Sequence, residues 1–259
     1  MPTLLLPPRY TPDTNAIWQA AVAAGWETER VHGWRVHDDL RGTDVVLYGE
    51  PLFAAVVADQ LGLALLEPTF DWVAALPDPL RKRRVEFTTL AEARRLTEPS
   101  FVKPADDKCF RAGVFASGDE LPVEAVLPGS TPVLVAEPVE WEIEFRCFVL
   151  EGRVVAHSAY LRRGNLNRAE DGSWPATNEE VEVALAFAAE VLSDVAVPPG
   201  VVLDVGVIEG RGWAVVEANA AWGSGIYGCD PSAMLPVIAR SCCPRAKVRE
   251  EDRRWVIRS

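Results

Sequence analysis

The sequence predicts a mixed α/β (α+β) chain in three lobes, a small α/β lobe followed by two α+β lobes. Three observations carry this. Short apolar runs alternate with helix-like stretches over residues 1–66. A proline- and arginine-rich junction, residues 71–84, then breaks the alternation. From residue 140 onward long strands surround one amphipathic helix. The lobes are expected at residues 1–75, 76–138 and 139–259, and a chain of 259 residues is long enough for two to three of them.

Residues 3–6 form a short buried strand, and residues 13–24 have helical character and stop at Gly25. Residues 44–48 are a second strand. Residues 51–61 open on proline and end before Gly62, the usual asymmetry of a helix. Residues 63–66 supply a third strand, so the first lobe is expected to hold a small parallel sheet. Pro77, Pro79 and the run Arg81-Lys82-Arg83-Arg84 mark the junction. Short strands follow, among them residues 100–104 and 132–137. Residues 145–150 and 153–160 flank Glu151-Gly152, a hairpin signal. Residues 179–192 form the amphipathic helix, residues 201–209 and 213–218 a second hairpin, and residues 231–240 a closing helix.

Composition narrows the function. Net charge is −12, which argues against non-specific nucleic-acid or anionic-membrane binding, since both need a basic surface. Five scattered cysteines without a CxxC pair, with only three histidines, argue against a zinc site. The N-terminus has neither a basic segment nor a long apolar run, so a soluble cytoplasmic protein is expected. The open sheet edge of the first lobe is compatible with a homodimer.

The second hairpin is the most informative segment. With a two-residue turn at Gly210-Arg211, Asp204 stands opposite Glu217, and Glu217 and Asn219 share its face. Facing carboxylates repel unless compensated, and a hard divalent cation compensates them. A wet sheet edge that binds nothing accounts for the same acids, and a one-residue bulge would break the assumed register. Lys103 lies between apolar residues and before Pro104, so its ammonium needs a partner, either a phosphate or a carboxylate. The strand over residues 133–136 ends in Glu137-Pro138-Val139-Glu140, where proline frees backbone groups beside an apolar wall, a setting that suits an adenine ring. Glu142, Glu144 and Arg146 alternate on the next strand. Trp222 and Gly223-Ser224-Gly225 follow the Asn219 segment, and their backbone N–H groups suit an acceptor carboxylate.

In this order, Lys103, Glu137, Glu144 and Asp204…Glu217-Ala218-Asn219 resemble the ATP-grasp superfamily of carboxylate ligases. The separations of seven residues from Glu137 to Glu144 and thirteen from Asp204 to Glu217 are similar to those of D-alanine–D-alanine ligases. The Phe101-Val102-Lys103-Pro104 and Glu137-Pro138-Val139 segments resemble those of compact bacterial ATP-grasp proteins of the two-arginine, one-lysine clade. The resemblance spans about residues 80–235 and implies an ATP-grasp fold whose two later lobes clamp a nucleotide.

It also implies roles. Lys103 contacts the α- and β-phosphates, and Lys108 belongs to the loop over them. Backbone groups of Glu137, Pro138, Val139 and Glu140 read adenine, and Glu144 holds the ribose. Asp204, Glu217 and Asn219 hold one or two Mg²⁺ ions. Arg146 and Arg162, with Lys103, neutralise the transferred phosphoryl group and the acyl carboxylate. The implied cofactors are ATP and Mg²⁺, and the implied reaction joins a small carboxylate to an amine, an amino acid or peptide among them, through an acyl phosphate. An ATP-grasp kinase and a non-catalytic nucleotide-binding module are the alternatives. The sequence departs from the family pattern in lacking the early lysine, for which one of residues 81–84 substitutes, and in a short phosphate loop at residues 107–113.

Overall fold

A computed structural model describes residues 1–105 and 109–257. The first sheet is parallel throughout and has the order β2-β1-β3, from Thr3–Leu6 (β1), Glu27–Arg30 (β2) and Val45–Leu47 (β3). Between β1 and β2 runs helix α1, Pro12–Ala23, which starts with a reciprocal Thr11–Thr14 capping box and a proline in its first turn. Helix α2, Pro51–Leu61, ends at Gly62 in the left-handed conformation, φ 65°. Strand β2 has no apolar run to announce it. It is an edge strand, and its Glu27, Glu29 and Arg30 are the kind of charges that blunt edge-to-edge pairing.

The apolar run after Gly62 forms strand β4, Leu63–Leu65, but β4 does not join the parallel sheet as the alternation suggests. It pairs antiparallel with the chain's last strand, Cys242–Pro244. A short run that is apolar on both faces fits many partners, and its periodicity does not choose among them.

After the short helix α3, Asp78–Arg81, comes a four-stranded antiparallel sheet of order β5-β8-β6-β7. Its strands are Val85–Thr89 (β5), Ser100–Pro104 (β6), Gly113–Phe115 (β7) and Pro132–Ala136 (β8). Helix α4, Leu90–Ala93, is capped by Thr89 and closes one face, with Leu90, Val102, Leu121 and Val133 as the core.

The largest sheet has the order β11-β10-β9-β12-β13 and is antiparallel. Its strands are Trp141–Leu150 (β9), Arg153–Arg162 (β10), Asn165–Leu166 (β11), Gly200–Ile208 (β12) and Gly212–Ala220 (β13). The expected Glu151-Gly152 turn joins β9 to β10, both residues at positive φ. Side chains alternate across β9. Phe145, Cys147 and Val149 pack with Ala184, Phe187, Ala188 and Val191 of helix α5, Asn178–Asp194. Glu144, Arg146 and Phe148 take the opposite face. There Phe148 and Val202 share a core with the first lobe's Leu4, Leu6 and Phe53 and with Met234 and Ile238 of helix α6, Pro231–Arg240. The last strand, Cys242–Pro244, is β14. Among the described residues no helix is long and apolar enough to cross a membrane.

Candidate functional site

The β12–β13 hairpin places Asp204 opposite Glu217, as expected, but by another route. Ile208 faces Gly212, so the turn holds three residues, Glu209, Gly210 and Arg211, and not two. One step beyond Val205↔Val215 the register shifts, leaving Val216 as an unpaired extra residue. The longer turn and the bulge cancel. The Arg83 guanidinium caps the bulge, donating to the carbonyls of Val215 at 2.7 Å and Val216 at 2.9 Å.

Strand pairing aligns four polar residues in one row across the sheet: Ser158 on β10, Arg146 on β9, Asp204 on β12 and Glu217 on β13. The acids in this row do not face each other uncompensated. Asp204, with no exposed surface, accepts from Arg146 Nε at 3.0 Å and Nη2 at 2.6 Å. Arg146 is sandwiched by the rings of Tyr160 and Tyr227, 5.0 and 4.8 Å from its Cζ. Burial alone would lower the Arg146 pKa, but Asp204 outweighs it and holds the guanidinium above its usual range. Glu217 accepts from Lys103 Nζ at 2.5 Å and from Asn219 Nδ2 at 2.9 Å. Burial raises the Glu217 carboxyl, yet Lys103 and Asn219 outweigh it and pull it down to about 2.

A cleft of about 310 Å³ lies between the four-stranded and five-stranded sheets. Val85, Phe101, Leu134, Ala136 and Trp141 form its apolar walls, with Pro138 and Val139 at the rim. Arg83, Lys103, Glu144 and Glu217 supply its charged groups. A flat apolar slot ending in cations and one acid suits a planar base with a phosphate tail. Lys103 and Glu217 also line a neighbouring polar hollow of about 110 Å³, bounded by Glu67, Thr69, Phe70, Trp72 and Asn219.

The structure separates the four basic residues of the junction. Arg81 bonds Asp78 and the Ala74 carbonyl, Lys82 bonds the Arg211 carbonyl, and of the four only Arg83 lines the cleft. Burial pushes Arg83 down to about 10, with Glu217 and Glu144 opposing, so it stays cationic at neutral pH. Its parity with Val85, two residues on, is the sequence signal for this inward position.

The Glu137 carboxylate does not point at a ligand. It forks onto Arg211 at 2.5 and 3.1 Å and so ties the Glu137–Glu140 stretch to the hairpin turn. Arg211, helped by the Arg84 N–H, draws it down to about 2. Glu137 N–H donates to the Arg84 carbonyl and the Glu140 carbonyl accepts from Glu209 N–H, so these bonds frame Pro138 and Val139 at the rim. Arg162 forks onto Glu180 at 3.0 and 3.3 Å, where Glu180 belongs to the α5 capping box, and it lines neither hollow. Lys108 lies outside the described residues.

Glu144 accepts from the Tyr160 hydroxyl at 3.0 Å, and burial pushes its carboxyl up to about 7 from an ordinary 4.5. Between those values the native state holds more proton than the unfolded chain, so this group makes stability fall as pH rises from 4.5 to 7. Glu144→Gln is expected to remove that component. Denaturation across this window should show wild type losing stability relative to the variant as pH rises, and parallel curves would contradict it.

Asp204, Glu217 and Asn219 do not form one open oxygen cluster, because both Asp204 oxygens are taken by Arg146. Among the described residues no group of three or more His, Cys, Asp or Glu side chains is arranged to hold a metal. Glu217, 27% exposed, and Asn219 do face the hollow. One carboxylate with an amide oxygen fits the way Mg²⁺ is held when phosphates complete its shell.

The sequence profile of the ATP-grasp domain of the two-arginine, one-lysine clade, family 2, matches residues 80–237, more than half of the chain. The chain belongs to this ATP-grasp family. The ATP-grasp span thus takes in the four-stranded and five-stranded sheets and the cleft between them. Solved structures share the ATP-grasp fold at low identity. A RimK domain ATP-grasp protein from Sphaerobacter thermophilus is 15% identical, with a TM-score of 0.52 over 92% of this chain and 98% of that one. D-cycloserine synthetase DcsG is 15% identical, with a TM-score of 0.56 over 93% and 98%. A D-alanine–D-alanine ligase from Bacillus anthracis, complexed with ATP, is 12% identical, with a TM-score of 0.51 over 93% and 97%. No curated protein sequence matches.

Proposed function

We propose that this ATP-grasp protein is an ATP-dependent ligase that joins a carboxylate to an amine through an acyl phosphate. The observation that carries the reading is the Lys103–Glu217 pair at 2.5 Å, where the apolar cleft meets the polar hollow. The apolar walls take the adenine, with Pro138 and Val139 at its edge, and Glu144 lies within the same cleft for the ribose. Arg83 and Lys103 place positive charge along the phosphates. Glu217 and Asn219 would hold a divalent ion, which supplies further positive charge against the phosphate oxygens. On this reading residues 76–138 and 139–259 clamp the nucleotide, and residues 1–75 help shape the acceptor side.

The chemistry follows from the charges. A carboxylate oxygen attacks the γ-phosphorus, the bond to the ADP oxygen breaks, and ADP leaves. Two anions must approach, and the cations lower that cost. The amine nitrogen then attacks the acyl carbon, the C–O bond to phosphate breaks, and the nitrogen gives up a proton. No protein nucleophile is required. The names of the fold neighbours, a D-alanine–D-alanine ligase and D-cycloserine synthetase, support this reading.

Incubation with ATP, Mg²⁺ and a panel of amino acids and small carboxylates is expected to give ADP and phosphate in equal amounts with a condensed product. ADP without free phosphate would make the protein a kinase instead. Nucleotide at about a hundredfold excess over Kd should stabilise the native state by about 2.7 kcal/mol, and no thermal shift at any concentration would end the nucleotide reading.

A further inference from the structure

The surroundings of Asp204 describe a task different from that of Glu217. Arg146 commits Nε and Nη2 to Asp204, and its Nη1 donates to the Gly225 carbonyl at 3.0 Å. Gly225 belongs to a short loop, residues 223–228, that follows the strand bearing Glu217 and Asn219. Two more anchors reach this loop from the first lobe. The Tyr48 hydroxyl donates to the Ser224 carbonyl at 2.9 Å, and Ile226 N–H donates to Asp13 Oδ2 at 3.1 Å. Three consecutive loop residues therefore each have one backbone group fixed by a side chain from a distant part of the chain. Tyr227, at a positive φ of 41°, lays its ring on Arg146. With glycine at 223, 225 and 228, the loop has little conformational preference of its own, so its order must come from these anchors.

We propose that Asp204 is a positioning residue that fixes Arg146 and, through it, the 223–228 loop, while a divalent ion sits on Glu217 and Asn219 and not on Asp204. A bidentate guanidinium occupies both carboxylate oxygens. A metal bond at about 2.0–2.1 Å would displace it and strand a cation between two tyrosine rings. The metal half of this inference rests on the nucleotide reading above, and the loop half does not.

The test compares Asp204→Asn and Glu217→Gln with wild type in two measurements. Hydrogen exchange of Asp204→Asn is expected to speed up about tenfold or more at Ile226 and its neighbours, the mark of lost local order. Binding of Mn²⁺ in the presence of a non-hydrolysable ATP analogue, read by electron paramagnetic resonance, is expected to stay within about twofold of wild type in Asp204→Asn. In Glu217→Gln it should weaken by about tenfold or more, as loss of a ligand requires. Unchanged loop exchange, or equal loss of Mn²⁺ in both variants, overturns the inference and leaves the ligase reading standing. No nucleotide-dependent Mn²⁺ binding by wild type overturns the metal half and the nucleotide reading together. If Asp204→Asn does not fold, wild-type crystals soaked with Mn²⁺ and the analogue decide. An anomalous peak bonded to Glu217 supports the inference, and one bonded to Asp204 overturns it.

Discussion

Lys103→Met is expected to lower ATP turnover by about 100-fold or more, the range seen when one preorganised charge-stabilising donor is removed. Among the described residues Lys103 is the only lysine or arginine shared by the cleft and the hollow, so its loss strips positive charge from the place where two anions must meet. The substitution has a second effect. Glu217 is held at about 2 largely by Lys103, against burial that raises it. Without the ammonium its carboxyl should rise, and the residual activity of the variant should shift its acid limb to higher pH. Lys103→Arg should rescue only part of the loss, since a planar guanidinium does not fit a point-charge position. Steady-state kinetics across pH, with nucleotide titration, check both effects. Turnover within a few-fold of wild type would move the reacting centre away from Lys103.

Arg146→Met is expected to cost about 3–5 kcal/mol of stability, the penalty for leaving one member of a buried ion pair alone. For a chain of this size that is roughly 6–20 °C in Tm. Asp204 has no exposed surface through which water could replace the lost guanidinium. Its Cys147 and Val205 neighbours along the strands are buried as well. The double variant Arg146→Met/Asp204→Leu should recover much of the loss, because apolar residues of similar volume often match or exceed a buried pair in stability. Denaturation of wild type and both variants measures the difference. A single variant as stable as wild type would mean that the pair is not what holds this face of the sheet.

Much of the site was legible because its chemistry leaves local marks. A lysine flanked by apolar residues and followed by proline announced a cation turned inward, and it lies against a carboxylate 114 positions away. The choice left open for it, phosphate or carboxylate, resolves to Glu217 in this structure. Asp204 and Glu217 were aligned by an assumed tight turn, and the alignment survives because an extra turn residue is offset by the bulge at Val216. Neither feature is visible in side-chain alternation, since each shifts the register by one and together they restore it.

What stayed hidden depended on partners remote in sequence. Nothing near Arg162 says that it forks onto Glu180, although the Thr177–Glu180 capping pattern placed that acid at a helix start. Nothing in the run 81–84 distinguishes Arg83 until strand parity with Val85 is known. The charged Glu27–Arg30 strand carries no hydrophobic signature, because edge strands are selected against stickiness and not for burial. Arg146 was expected at the reacting phosphate, yet its nitrogens are committed to Asp204 and Gly225.

The apolar core that joins both ends of the chain has an evolutionary consequence. The stretch bearing the family signature starts after β4 and stops inside α6, so it cuts across contacts that Phe148, Trp222 and Met234 make with residues near the start. Ancestry is recorded in the middle, while the seam that closes the molecule is sewn from its two ends by β4 and β14. Recombination that exchanged only one end between cousins would bring together mismatched halves of that seam. The two flanks are therefore expected to vary in concert across the lineage, even where the intervening catalytic stretch changes little.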